Sequence, residues 1–178
     1  MFENYKPKYV FKISLIADSG VGKKTLAKKF TSRFDSNTFL AYGIKFATLD
    51  LMVFGNFIRN SLWIYSNEEQ YRKLFPYYIN GSNGIILMYE ITKIETINFL
   101  SEILRLIKTH IKWDVPILLV GNKLDRKEDR KIMMDYLENF KKIHDISTSI
   151  EISLETGENV EKMFMDISRM MIKHFNLT

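Results

Sequence analysis

Ser19-Gly20-Val21-Gly22-Lys23 puts small residues directly before a lysine, the combination that lets backbone N–H groups close around a phosphate while an ammonium reaches its oxygens. With Lys24 and Thr25 it forms a candidate phosphate-binding stretch. The full pattern, G-x-x-x-x-G-K followed by Ser or Thr, is met only in part. Ala17 stands at the first glycine, and Lys24 stands where a hydroxyl would bind Mg²⁺. Thr25 comes one position late, about 100° further round a helix. Taken alone, the stretch reads equally as an ordinary glycine turn leading into a helix with solvated lysines at 24, 28 and 29.

A second constellation lies far along the chain, where the apolar run Val115 to Val120 is followed by Gly121-Asn122-Lys123-Leu124-Asp125. A carboxylate at Asp125 can accept two hydrogen bonds from the N1–H and 2-amino groups of guanine, which adenine cannot offer. N-K-x-D is short, and its weight comes from position. It sits at the C-terminal end of a buried strand, on the sheet edge that also carries the glycine loop.

The elements that must hold these groups follow from periodicity. Tyr9 to Ile16 alternates, with Phe11, Ile13 and Leu15 on one face, and leads through the glycine loop into Lys23 to Phe34, where Leu26, Phe30 and Phe34 form a helical stripe. Ile44 to Phe54 and Phe57 to Tyr65 read as strands joined by a Gly55-Asn56 turn. Gly84 to Tyr89 and Val115 to Val120 are short apolar runs suited to a parallel sheet covered on both faces. Ile97, Leu100, Leu104 and Ile107 mark a helix between them. Residues 129–142 and 159–175 predict two more helices, with a last strand at Ile150 to Ile152. The expectation is an α/β fold in a single domain spanning residues 1–178, with no internal repeat.

Composition excludes several classes of function. The 178 residues are 46% hydrophobic and 26% charged, which is globular rather than disordered. The absence of cysteine removes disulfide, thiol, Cys-zinc and prenyl chemistry. His110, His144 and His174 lack ligand spacing and read as surface residues, and no metal site is assigned. The apolar runs fall short of the roughly 18 residues a membrane span needs. The net charge of +5 lies wholly in residues 1–50, which fits a local anion site better than a nucleic-acid surface.

The ordered motifs together resemble the Ras-like small GTPases, and within them the Rab branch. Ala17 to Lys23 looks like the Rab phosphate loop. Gly84 to Thr92 (GIILMYEIT) and Pro116 to Asp125 (PILLVGNKLD) look like the central strands. Glu151 to Val160 (EISLETGENV) is similar to the last motif, usually E-T-S-A-K-T-G-E-N-V. The resemblance implies a P-loop NTPase G domain, a six-stranded, mostly parallel sheet with one antiparallel edge strand and helices on both faces. It also implies a guanine nucleotide, GTP or GDP, held at Asn122, Lys123, Asp125, Ser153 and Leu154. Leu154 and Glu155 depart from the usual Ala and Lys.

The switch segments depart further. Where the family has Thr-Ile-Gly, the matching residues are Tyr42-Gly43-Ile44, and Tyr42 replaces the threonine that meets Mg²⁺. Where it has Trp-Asp-Thr-Ala-Gly-Gln-Glu, this chain reads Trp63-Ile64-Tyr65-Ser66-Asn67-Glu68-Glu69. Asp becomes Ile64, the γ-phosphate-sensing Gly becomes Asn67, and the water-orienting Gln becomes Glu68. The expectation is nucleotide binding with weak or absent hydrolysis, no catalytic residue, a doubtful Mg²⁺ and a lysine in its place. A nucleotide-free scaffold or adaptor is the alternative. Asp125 disfavours an ATP-using kinase. Protein partners are expected at the aromatic surface from Tyr71 to Tyr78, although Phe75 and Tyr78 read equally as core beneath it. With no cysteine tail, no direct membrane anchor is expected, and the expected location is cytoplasmic.

Overall fold

The computed structural model describes residues 6–31, 33–35, 43–108 and 114–177. The chain forms β1 (Tyr9–Ala17), α1 (Lys23–Phe30), β2 (Arg33–Asp35), β3 (Ile44–Val53), β4 (Asn56–Tyr65), α2 (Glu69–Arg72), α3 (Phe75–Ile79), β5 (Gly84–Glu90), α4 (Ile94–Lys108), β6 (Ile117–Asn122), a 3-10 turn (Leu124–Asp129), α5 (Met134–His144), β7 (Thr148–Glu151) and α6 (Val160–His174). One sheet holds every strand in the order β2-β3-β4-β1-β5-β6-β7. β1 runs parallel to β4 and β5, and β5–β6 and β6–β7 are parallel pairs. Among the described strands, β3 alone points opposite to the rest of the sheet, antiparallel to both β2 and β4.

The six expected strands are present, with the expected antiparallel strand. A seventh, three-residue β2 lies outside β3, so β3 is not the outermost strand. Its origin is the early end of α1. At Thr31 the backbone turns extended, and its hydroxyl bonds back to the Ala27 carbonyl at 2.5 Å. Phe34, expected on the helical stripe, therefore pairs with Ala47 in the sheet. The β3–β4 turn is centred one residue earlier than expected, on Phe54 and Gly55, both at positive φ (49° and 74°). Val53 and Asn56 close it, a geometry whose twist matches the flanking strands.

Strand periodicity divides the core into two layers. From β1, Phe11, Ile13, Leu15 and Ala17 pack with Leu26 of α1 and with Val160, Phe164 and Ile167 of α6. On the opposite face, Ile85, Leu87 and Tyr89 of β5 pack with Phe75, Leu100, Leu104 and Phe140 from α3, α4 and α5. All seven residues of β5 are buried, as a strand covered by helices on both sides requires. His144, expected at the surface, is instead 7% exposed, its ring tilted against Phe140 at 4.5 Å between centroids and its Nε2 3.3 Å from Ser101 Oγ. His174 is exposed, and His110 lies outside the described residues.

Candidate functional site

The parallel strands β1, β5 and β6 end on one edge of the sheet, and the loops that follow them meet there. The loop after β1 carries Gly20 at φ 76° and Gly22 at φ 117°, both in the left-handed region that favours glycine. Gly22 is also needed for close approach. A Cβ there would come within 2.8 Å of both Asn122 Nδ2 and Leu154 Cδ1.

Asn122 is the joint of the site. Only 3% exposed, it donates from Nδ2 to the Val21 carbonyl at 2.7 Å and accepts at Oδ1 from the Leu154 amide at 3.1 Å. One side chain thus ties the glycine loop to the segment after β7. Asp125, on the 3-10 turn, accepts from Ser153 Oγ at 2.5 Å, which fixes the rotamer of its carboxylate. Lys123 lies in the left-handed region at φ 72°, with its ammonium 2.8 Å from Glu90 Oε2. Glu90 is 1% exposed. Burial alone would raise its pKa, but hydrogen bonds from Lys123 and Thr92, with the charges of Lys123 and Lys93, hold it below the usual carboxylate range. Asn122, Lys123, Asp125, Ser153 and Leu154 are therefore brought together at this edge of the sheet. The Leu154 side chain, 4% exposed, fills the space beside Gly22.

On the other side of the loop lies a cleft of about 650 Å³. Asp18, Ser19, Gly20, Gly22, Lys23, Lys24 and Thr25 form one wall, with Lys45, Ile64, Ser66, Asn67, Glu68 and Tyr71 across from them. Val21 is fully buried in the core and contributes backbone alone. Lys23 Nζ donates to the carbonyls of Ala17 at 2.5 Å and Asp18 at 2.9 Å. Burial lowers its pKa to about 8, with Asp18 opposing the shift and Lys24 adding to it. Lys24 is exposed at the mouth of the cleft, and Thr25 lines the cleft despite its late position. Lys45 titrates below the usual lysine range, first through burial and then through the charges of Lys24 and Lys28.

The oxygen donors of this cleft bear on the magnesium ion that the motif resemblance implies. Mg²⁺ takes oxygen ligands in near-ideal octahedral geometry, commonly with one or two carboxylates. Ile64, at the expected aspartate's place, is 4% exposed and part of the apolar core. The two carboxylates that line the cleft are already hydrogen-bonded. Asp18 Oδ1 accepts from the Ser19 amide and Asn67 Nδ2, and Glu68 accepts from Ser66 Oγ and Gln70 Nε2. No group of three or more His, Asp or Glu side chains among the described residues could hold a metal. Tyr42 lies outside the described residues. Registering that segment on its glycine, Gly43, moves the threonine's counterpart to Ala41, which also lies outside them.

The switch-like segment is firmly seated. Ser66 N donates to Gly43 O at 2.7 Å, and a Cβ on Gly43 would come within 2.5 Å of the Tyr71 ring. The Tyr65 hydroxyl is 2.8 Å from Ser14 Oγ and donates to the Tyr78 carbonyl at 3.0 Å, while Lys12 Nζ bonds the carbonyls of Tyr78 and Asn80 and covers the Trp63 ring at 4.0 Å. Phe75 is buried at 1% and Tyr78 is half-buried, stacked on Tyr65, so both serve the core. Tyr77, 76% exposed, is the aromatic that this turn presents to solvent.

This arrangement accords with the comparison to known proteins, where a model described as "Ras family" matches residues 12–173. The chain belongs to the Ras family. It is 36% identical over 160 residues to Ras-related protein YPTC6 of Chlamydomonas reinhardtii, covering 89% of this chain and 74% of that one. It is 34% identical to RABA2a of Arabidopsis thaliana (89% and 73%) and 34% identical to Rab-11A of Dictyostelium discoideum (89% and 74%). Ras family members bind guanine nucleotides and effector proteins. The sequence does not single out Lys45 or Glu90 as site residues, and it marks Asn67 only as the residue in place of a glycine. Asn67 and Lys45 reach the cleft only through the placement of β3 and β4, and Glu90 reads as one more residue of a buried strand.

Proposed function

We propose that the chain binds a guanine nucleotide between Asp125 and Lys23, with hydrolysis weak or absent, and that lysine charge at the cleft stands in for part of the metal's. The observation that carries this reading is the Asn122 bridge. It holds the glycine loop against the Leu154 segment while Ser153 orients Asp125, so the groups that recognise a base and those that recognise a phosphate have a fixed spacing.

Weak turnover follows from the opposite wall. Phosphoryl transfer depends on positioning and charge neutralisation at the transferred group. Ile64 offers no ligand, Glu68 is an anion tied to Ser66 and Gln70, and Lys24 and Lys45 supply positive charge without coordination geometry. Both cleft carboxylates are already hydrogen-bonded and Ile64 stands where a third is expected, which supports a site without a carboxylate-held Mg²⁺. When bound, that ion would screen the phosphate charges. Here that role falls to Lys23, Lys24 and Lys45.

A second reading, a nucleotide-free adaptor that meets proteins through the turn carrying Tyr77, is favoured by the self-satisfied loop. Lys23 bonds its own loop carbonyls, and the Leu154 amide is engaged by Asn122. Denaturing the purified protein and chromatographing the released small molecules separates the two readings. Calorimetric titration with GDP and GTP, with Mg²⁺ and with chelator, then tests the metal. Binding that strengthens by orders of magnitude with Mg²⁺ would sink the lysine assignment. Asp125→Asn should lower guanine affinity by about ten-fold to a hundred-fold, the effect of losing a charged acceptor. Unchanged guanine selectivity in that variant would place the base elsewhere.

A further inference from the structure

Asn67 does more than fill a position in the switch-like segment. Its Nδ2 donates to Asp18 Oδ1 at 2.6 Å, and its Oδ1 accepts from Ser19 Oγ at 2.9 Å. The Ser19 backbone amide also donates to Asp18 Oδ1, at 2.7 Å, so the three residues close a ring of hydrogen bonds. The Asn67 backbone is held in turn, its carbonyl accepting from Arg72 Nε at 2.9 Å. This ring joins the segment after β4 directly to the glycine loop across 49 positions of sequence.

The location of the ring gives it a consequence for ligands. The base-side residues Asn122 and Leu154 touch the loop at Val21 and Gly22, whereas the ring touches it at Asp18 and Ser19. A nucleotide whose base lies at Asp125 and whose phosphates follow the loop therefore extends its terminal phosphate toward the ring. There it meets a carboxylate and an amide already hydrogen-bonded to each other. A short phosphate chain that stops at Gly22 and Lys23 leaves the ring intact. A longer one must displace Asn67 or bring an anion against Asp18.

We infer that Asn67, with Asp18 and Ser19, is a specificity-determining latch that makes the cleft take a guanosine diphosphate in preference to the triphosphate, and that holds residues 66–72 against the loop when no ligand is bound. The selectivity part rests on the nucleotide reading above, and the holding part does not.

The test has two arms on the full chain. In the first, fluorescence titration compares GDP with GTP for the wild type and for Asn67→Ala. The wild type should favour GDP by about ten-fold or more, the weight of one charge-assisted hydrogen bond, and N67A should bring the ratio close to one, chiefly by tightening GTP. Tight binding of both nucleotides with no preference overturns the selectivity while leaving nucleotide binding intact. If neither nucleotide binds, the functional reading fails and the selectivity falls with it. In the second arm, hydrogen exchange of residues 66–72 is followed in nucleotide-free protein. Asp18→Ala, though distant in sequence, should accelerate it about as much as N67A, and the double variant no more than either. Unchanged exchange in D18A overturns the latch itself. Circular dichroism of each variant checks that the fold is retained, and Ser19→Ala provides a milder break of the same ring.

Discussion

Lys23 shows how one side chain sets the behaviour of the whole cleft. With its pKa lowered to about 8 by burial, its charge is lost within the ordinary working range. A bound phosphate requires the charged ammonium, so in the unliganded protein the competent form predominates well below about pH 8, is half-populated near it and declines above it. Affinity for GDP is therefore expected to be flat from pH 6 to 7.5 and then to fall by up to about ten-fold per pH unit. Titration at pH 7 and pH 9 measures this, and Lys23→Arg, which keeps its charge, should flatten the profile. A wild-type profile flat through pH 9 would remove the titration of Lys23 as a determinant of affinity. At this scale the sequence is most legible where chemistry is carried by consecutive residues. Gly20 to Lys23 and Asn122 to Asp125 announce themselves by type and spacing. Asn67 does not, because an asparagine acquires a role only when another segment is brought within hydrogen-bond distance.

Among the elements, α3 is seated by Phe75, Pro76 and Ile79 in the core and by polar groups beneath it. Ser14 Oγ lies between the Tyr65 hydroxyl and Ser82 Oγ, at 2.8 and 2.6 Å, and all three residues are buried. Tyr65→Phe removes the donor to the Tyr78 carbonyl and one neighbour of Ser14, and should cost about 1–3 kcal/mol in chemical denaturation. Proteolysis near Tyr77 should accelerate with it. A stability loss with no change in cleavage there would assign the hydroxyl to the sheet rather than to α3. A comparable bond joins the sheet to α6. Asn60 Nδ2 donates to Ser168 Oγ at 2.8 Å, and Ser168→Ala, which strands that buried amide, should cost about 1–3 kcal/mol in the same assay. Strands of five residues or more, and the long helices, were readable from period and burial. β2 was not, since three residues carry no period, and the end of α1 depends on Thr31 bonding back to Ala27. The shift of the hairpin turn to Phe54 and Gly55 has the same character. Gly55 was visible as a turn residue, but strand register decided which neighbour shares the turn.

For the molecule as a whole, ligand binding and stability are linked, because a nucleotide that binds only the folded chain stabilises it by mass action. At a hundred times its dissociation constant, GDP should add about 2.7 kcal/mol, a rise in Tm of roughly 5–10 °C for a chain of this size. Scanning calorimetry with and without chelator tests the metal at this scale. The rise should survive removal of Mg²⁺, and its disappearance would return the charge-balancing role to the ion. The excess positive charge in residues 1–50 is consistent with this cleft, since Lys23, Lys24 and Lys45 all line it.

The Asn122 bridge also orders events in time. It connects β6 to Val21 across 101 positions and to Leu154 across 32, and Asn122 and Leu154 together brace Gly22 in its left-handed conformation. Such distant contacts form only after the intervening chain has been drawn together, which slows their appearance. During synthesis the glycine loop leaves the ribosome long before either of its braces exists. The loop takes its ligand-ready shape only when the sheet has closed as far as β6 and the segment after β7. On the proposed nucleotide reading, capture therefore follows closure of the sheet rather than helping to build it.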